Sequence, residues 1–149
     1  VSKLEMTKSD WYRVIPATTF MEPEIARVGL NEREASEQNI EYEISRYQLD
    51  DLDRAIVEGE TRGFVKVLTE PGKDRILGAT IVGEHAGELL AEFVLAMKHG
   101  LGLNKILGTI HAYPTWAESN KYVAGVWKKD HAPQRILEWL QRYHTWRRA

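Results

Sequence analysis

The chain is 149 residues long, 43% hydrophobic and 28% charged, with a formal net charge of −2 and no cysteine. Its length is one domain's worth of chain, and its composition is ordinary for a globular protein. The charge argues against a nucleic-acid binder, zero cysteines exclude disulfides, thiolate metal sites and a Cys nucleophile in this chain, and no run approaches the ~18 apolar residues of a membrane span.

The opening Val1-Ser2-Lys3-Leu4-Glu5 has no apolar core, so no signal peptide is expected, and the missing initiator Met fits a chain cut from a longer one. Residues 1–15 read as an arm leading into the domain, with Trp11, Tyr12, Val14 and Ile15 as an apolar patch. Thr18-Thr19-Phe20 and Ile25-Ala26-Arg27-Val28-Gly29 read as short strands separated by a turn at Met21-Glu22-Pro23-Glu24. Asn31 and Glu34 have the spacing of a capping box, which predicts a helix over about 32–38.

Alternation over Glu41 to Gln48 predicts a half-buried strand in which Tyr42, Ile44 and Arg46 share one side. The stretch from Leu49 to Glu60 is acidic and weakly periodic, enough for one or two helical turns. Gly63 to Thr69 and Arg75 to Val82 are β-prone, and the Pro-Gly turn between them makes a hairpin. Gly78 and Ala79 suggest a helix crossing close over that second strand. Ala86, Leu89, Leu90, Phe93, Val94 and Met97 recur at helical spacing up to Gly100 as a stop. A short helix over 104–107 and a longer one from Thr115 to about Trp127 complete an order in which the strands come first and the longer helices last. Such segregation implies an α+β fold, an antiparallel sheet with helices packed on one face.

The stretch His111-Ala112-Tyr113-Pro114-Thr115-Trp116-Ala117-Glu118 carries the functional question. Proline favours an extended Tyr113, and Thr115 suits a helix entrance with Glu118 about one turn inside. That geometry turns the Tyr113 ring outward and lets the Glu118 carboxylate reach back to orient it. The wording resembles the C-terminal signature of flavin-dependent pyridine nucleotide-disulfide oxidoreductases, His-x-His-Pro-Thr-x-x-Glu. Phe20-x-x-Pro23-Glu24-Ile25-Ala26-x-Val28-Gly29-Leu30, Gly63-Phe64-x-Lys66, Arg75-Ile76-Leu77-Gly78-Ala79-x-Ile81-Val82-Gly83 and Ala86-x-Glu88-Leu89 are similar to other parts of that family's interface domain, in the expected order.

The resemblance implies a dimerisation domain over residues 16–127, the last of three, acting as a homodimer. FAD and NAD(P) would be bound by the preceding domains of a full-length enzyme. Neither a Gly-x-Gly-x-x-Gly turn nor a redox Cys pair occurs here, so the fragment alone is expected to bind no cofactor and catalyse nothing. The family places a His–Glu couple in the partner subunit's active site. By matched position the couple becomes Tyr113 and Glu118, assigned here as catalytic, with His111, Tyr113 and Pro114 as cofactor-facing positions. Tyr titrates near 10 and His near 6.5, so Tyr113 is a poor general base but remains a hydrogen-bond donor. A Tyr at this place is similar to the mercuric reductase-like branch; the plainer alternative is a ring that only packs the dimer interface.

His111 is expected to hold the turn by bonding backbone. Glu84, His85 and Glu88 lie close in sequence but complete no recognised ligand spacing, so no metal site is expected. Residues 128–149 carry a formal +4, which leaves −6 for the rest. Pro133 can start an amphipathic helix bearing Trp139 and Trp146, which suits docking within the protein or, alternatively, a membrane surface over residues 131–149. A cytoplasmic protein is expected, and the rival to the reductase reading is a non-catalytic interaction module that uses this basic tail.

Overall fold

The computed structural model describes residues 14–132. The arm up to residue 13 and the basic helix expected from Pro133 lie outside the described residues. Five strands, β1 (Ala17–Thr19), β2 (Ile25–Gly29), β3 (Glu43–Gln48), β4 (Phe64–Thr69) and β5 (Ile76–Val82), form one antiparallel sheet in the order β1-β2-β5-β4-β3. Five helices interrupt them: α1 (Glu32–Glu37), α2 (Asp53–Glu58), α3 (Ala86–Lys98), α4 (Leu103–Leu107) and α5 (Glu118–Asp130). A 3-10 turn, Leu49–Asp51, precedes α2. The expected α+β architecture is the one observed.

Strand register explains the core. Ala26, Ile81, Val65 and Tyr47 stand in one row across the sheet, and Val28, Ala79, Val67 and Ser45 in the next. Both rows face α3 and α5, whose Leu90, Phe93, Val123 and Ala124 are buried against them. Each large apolar side chain so buried contributes roughly 1.5–3 kcal/mol. The α3 positions Ala86, Leu89, Leu90, Phe93 and Ala96 recur every three or four residues, so one stripe of the helix meets the sheet.

The phase of β3 is the reverse of the expected one. Ser45 is buried and Ile44 is 45% exposed, because Tyr47 pairs with Val65 and its ring lies 5.2 Å from that of Tyr122 on α5. One aromatic contact outweighs the local alternation. Strand β3 begins at Glu43, two residues later than the pattern suggested.

The opposite face carries Arg27, Lys66 and Arg46, and α1 is tied to it by Glu34 to Arg27 at 2.7 Å and Glu32 to Lys66 at 2.5 Å. The two long helices thus share one face while this short one takes the other. Asn31 and Glu34 close the capping box in both directions, as the spacing predicts. Gly78 also belongs to this side: a Cβ there would run into the Leu30 backbone. Its neighbour Ala79 is what α3 packs against, so the close crossing expected at Gly78-Ala79 divides between the two faces.

Candidate functional site

The segment between α4 and α5 is fixed by its own short-range bonds. The Thr115 hydroxyl donates to the Ala112 carbonyl at 2.6 Å, and the Glu118 carboxylate accepts the Thr115 N–H at 3.2 Å. This is one half of a capping box, carried by Thr115-x-x-Glu118. Regular helix begins at Glu118, after overlapping turns from Thr115 and Trp116, and runs to Asp130. The helix was expected to begin at Thr115 and end near Trp127. Glu118 is therefore the first residue of α5 and not one turn inside it. The Tyr113–Pro114 peptide is cis.

Tyr113 and Glu118, expected to act as a couple, are not bonded to each other. Glu118 is 5% exposed, and its second oxygen accepts the Tyr122 hydroxyl at 3.3 Å. Tyr113 is 69% exposed, and its hydroxyl donates to Asp53 of α2 at 2.8 Å. The carboxylate beside the Tyr113 ring thus comes from the weakly periodic acidic stretch. The reason is local: as the first helical residue, Glu118 folds back onto the Thr115 amide and is spent there. Accepting a hydrogen bond from the phenol, the Asp53 carboxylate holds Tyr113 above the usual tyrosine range, and its negative charge adds to this. Burial, then the Glu118 charge, does the same for Tyr122. At neutral pH the Tyr113 hydroxyl is consequently a donor.

His111 faces inward. Its Nδ1 lies 3.1 Å from the Thr109 carbonyl, its Nε2 lies 3.0 Å from Glu92 of α3, and its side chain is 6% exposed. Both partners are acceptors, so the imidazole is engaged at both edges and pins the turn to α3. The Asn120 amide donates to the same Glu92 carboxylate and to the Leu89 carbonyl, both at 2.9 Å. Trp116 is gripped from the other side, its Nε1 donating to Glu58 of α2 at 2.9 Å. That indole, with help from Arg54, keeps Glu58 below the usual carboxylate range.

Between α3 and the Thr115–Ala117 turn lies an open cleft of about 360 Å³, bordered by His85, Glu88, Glu92, Trp116 and Asn120. His85, in the left-handed region at φ 58°, begins α3, and its ring lies 5.7 Å from that of Trp116. Among the described residues no group of three or more His, Asp or Glu could hold a metal ion. The strand-to-helix turn between β5 and α3 reads Gly83-Glu84-His85-Ala86-Gly87, without the Gly-x-Gly-x-x-Gly spacing of a dinucleotide pyrophosphate turn. The segment's exposed tip carries Ile110, 96% exposed, and Tyr113.

Asp53, Glu58, Glu92, Asn120 and Tyr122 thus shape the site without having been singled out. One signal could have found part of this arrangement, since Thr-x-x-Glu before a helix foretells where Glu118 points. Nothing comparable marks Asp53 and Glu58 within an acidic run.

A family model described as the pyridine nucleotide-disulphide oxidoreductase dimerisation domain matches residues 15–124. The chain is 41% identical over 113 residues to a mitochondrial dihydrolipoyl dehydrogenase of Dictyostelium discoideum, covering 76% of this chain and 23% of that protein. A dihydrolipoyl dehydrogenase of Buchnera aphidicola (subsp. Acyrthosiphon pisum) is 41% identical over 107 residues, 72% of this chain and 23% of the relative. Among solved structures, LpdA from Mycobacterium tuberculosis superposes with a TM-score of 0.71 at 26% identity, over 76% of this chain and 25% of its own. The HOCl-induced flavoprotein disulfide reductase RclA from Escherichia coli gives 0.73 at 25% identity, over 81% and 28%. The chain therefore spans about a quarter of the length of the relatives it matches.

Proposed function

This chain belongs to the pyridine nucleotide-disulphide oxidoreductase dimerisation-domain family, and from that membership we propose that it is the C-terminal dimerisation part of a flavoprotein oxidoreductase, bringing Tyr113 in trans to its partner's reaction centre. The parent would bind FAD and NAD(P) in its other domains and move electrons from NAD(P)H through the flavin to a disulfide, thiol or metal-ion substrate. Within this chain the work is positioning. His111, bonded at both edges, holds the turn; Pro114 and the exposed Tyr113 stand at its tip as the cofactor-facing edge; Glu118 fixes the entrance of α5.

The observation that carries this reading is the Tyr113 hydroxyl, exposed at the tip of a braced turn and held as a donor. Its one proton is directed at Asp53, so the hydroxyl presents an acceptor oxygen outward, able to receive a hydrogen bond from a thiol or another substrate donor, and it removes no proton at neutral pH. In that respect the parent would depart from the family's His–Glu couple. The mercuric reductase-like branch remains a proposal supported by Tyr113 alone, beside relatives named as dihydrolipoyl dehydrogenases.

In the full-length protein, Tyr113→Phe should slow substrate reduction severalfold while flavin reduction by NAD(P)H stays near the parent rate. Stopped-flow rates unchanged in both half-reactions would return Tyr113 to a packing role. A full-length protein without bound flavin would defeat the oxidoreductase reading itself. The charge split, +4 in residues 128–149 against −6 elsewhere, favours a second reading, a tail that attaches the protein to an anionic membrane. Liposome co-sedimentation with and without residues 131–149 tests it, and equal, negligible pelleting would dismiss it.

A further inference from the structure

We infer that Asp53, and not Glu118, is the positioning residue for the Tyr113 ring: a carboxylate from α2 has taken over the orienting task that the matched Glu would perform. This deepens the reading of Tyr113 given above and rests on it. Three features of the structure meet here. The Tyr113 hydroxyl to Asp53 contact is 2.8 Å and joins positions sixty residues apart, so chain proximity does not produce it. Both Glu118 oxygens already have donors, from the Thr115 amide and the Tyr122 hydroxyl, and the residue is buried. Finally, α2 is braced against the same segment a second time, through Glu58 and the Trp116 indole.

Two bonds from the first and last residues of one helix hold the Tyr113 and Trp116 rings, and the helix itself is locked by Arg54 with Glu58. The stub of α2 is anchored from below by Leu52 and Ala55, both fully buried. Asp53 is thus mounted on an element that packs into the core, which is what a residue needs in order to hold another in place. It also determines the ring's chemistry. A carboxylate can only accept, so it fixes the phenol proton between the two groups and leaves the hydroxyl oxygen's lone pairs facing solvent. A histidine in the same position, held by the same Asp53, would be oriented and made more basic. The phenol is instead made less acidic.

The ionisation of Tyr113 tests this in the 149-residue chain, followed by NMR of ring-labelled tyrosine and assigned by its loss in Tyr113→Phe. Asp53→Asn should shift the Tyr113 midpoint downward and leave the other tyrosines in place, while Asp53→Glu should restore part of the shift. Glu118→Gln should move it less. An unchanged midpoint in Asp53→Asn would overturn the inference, as would a larger shift in Glu118→Gln. If the latter variant does not fold, the Asp53 variants decide alone.

The full-length protein supplies the functional arm. Asp53→Asn should slow substrate reduction severalfold, and adding it to Tyr113→Phe should cost nothing more. An Asp53→Asn protein as fast as the parent, alongside a slow Tyr113→Phe protein, would also overturn the inference. Should Tyr113→Phe itself leave both half-reactions unchanged, the oxidoreductase role of Tyr113 fails, and the titration alone judges the Asp53 contact.

Discussion

A carboxylate can serve one geometry at a time, and Glu118 shows how that choice is made. Its side chain closes the turn onto the Thr115 amide and receives the Tyr122 hydroxyl, in a place only 5% exposed. Truncation would leave both donors without an acceptor. Glu118→Ala should therefore lower stability by about 1–3 kcal/mol, whereas Glu118→Gln, which keeps an acceptor oxygen, should cost less. Urea denaturation of the two variants checks the order, and equal loss would mean that the acceptor does not matter. Tyr113 shows the complementary case. Its hydroxyl is exposed, so its partner is set by what the fold brings alongside and not by burial.

Among the elements, β5 and α5 carry the most specific consequences. Gly78 pairs with Leu68 on one side and Gly29 on the other, and the Leu30 backbone crosses where a Cβ would stand. Gly78→Ala should force the β2–α1 connection off the sheet and cost about 1–3 kcal/mol, as overpacking does. A melting temperature equal to the parent's would show that the connection can yield. The C-terminus of α5 is joined to β3 by His131, whose Nδ1 lies 2.8 Å from the Trp127 carbonyl and whose Nε2 lies 2.8 Å from Glu43. The Trp127 carbonyl, against partial desolvation, holds His131 above its ordinary value, and Glu43 and the Asp130 charge add to this. A raised folded value means that the protonated form is the stabilising one. Its contribution is complete below a pH of about 6.5 and is lost as pH rises through the raised value. Thermal melts should therefore fall across that window in the parent and be flatter there in His131→Asn.

Across the whole molecule, four of the exposed large hydrophobic residues belong to α2 and the segment docked on it. Ile56 and Val57 on α2 are 53% and 76% exposed, and Ile110 and Tyr113, in the segment docked on α2, are 96% and 69% exposed. A dimerisation domain would cover such a patch with a second copy. Light scattering after size exclusion should report a dimer, and Val57→Lys combined with Ile110→Lys should shift the population toward monomer. A chain that is monomeric at high concentration would place the patch outside any self-interface. No helix among the described residues is long and apolar enough to cross a membrane.

The strands, the long helices, their order and the family are legible along the chain, because each depends on short-range periodicity, turn chemistry and local wording. The capping box at Asn31 and Glu34, the α3 stripe and the β4–β5 hairpin all follow from residues within twenty positions of one another. The packing of the folded chain sets which side of β3 is buried, because the Tyr47–Tyr122 contact bridges distant segments. It alone assigned the partners of the site: Asp53 to Tyr113, Glu92 to His111 and Glu58 to Trp116. Spacing along the chain specifies what a side chain can bond within its own turn, as it did for Glu118. What stands beside an exposed ring is decided by the packing of elements sixty residues apart, and there the chain places an aspartate that no local pattern announces.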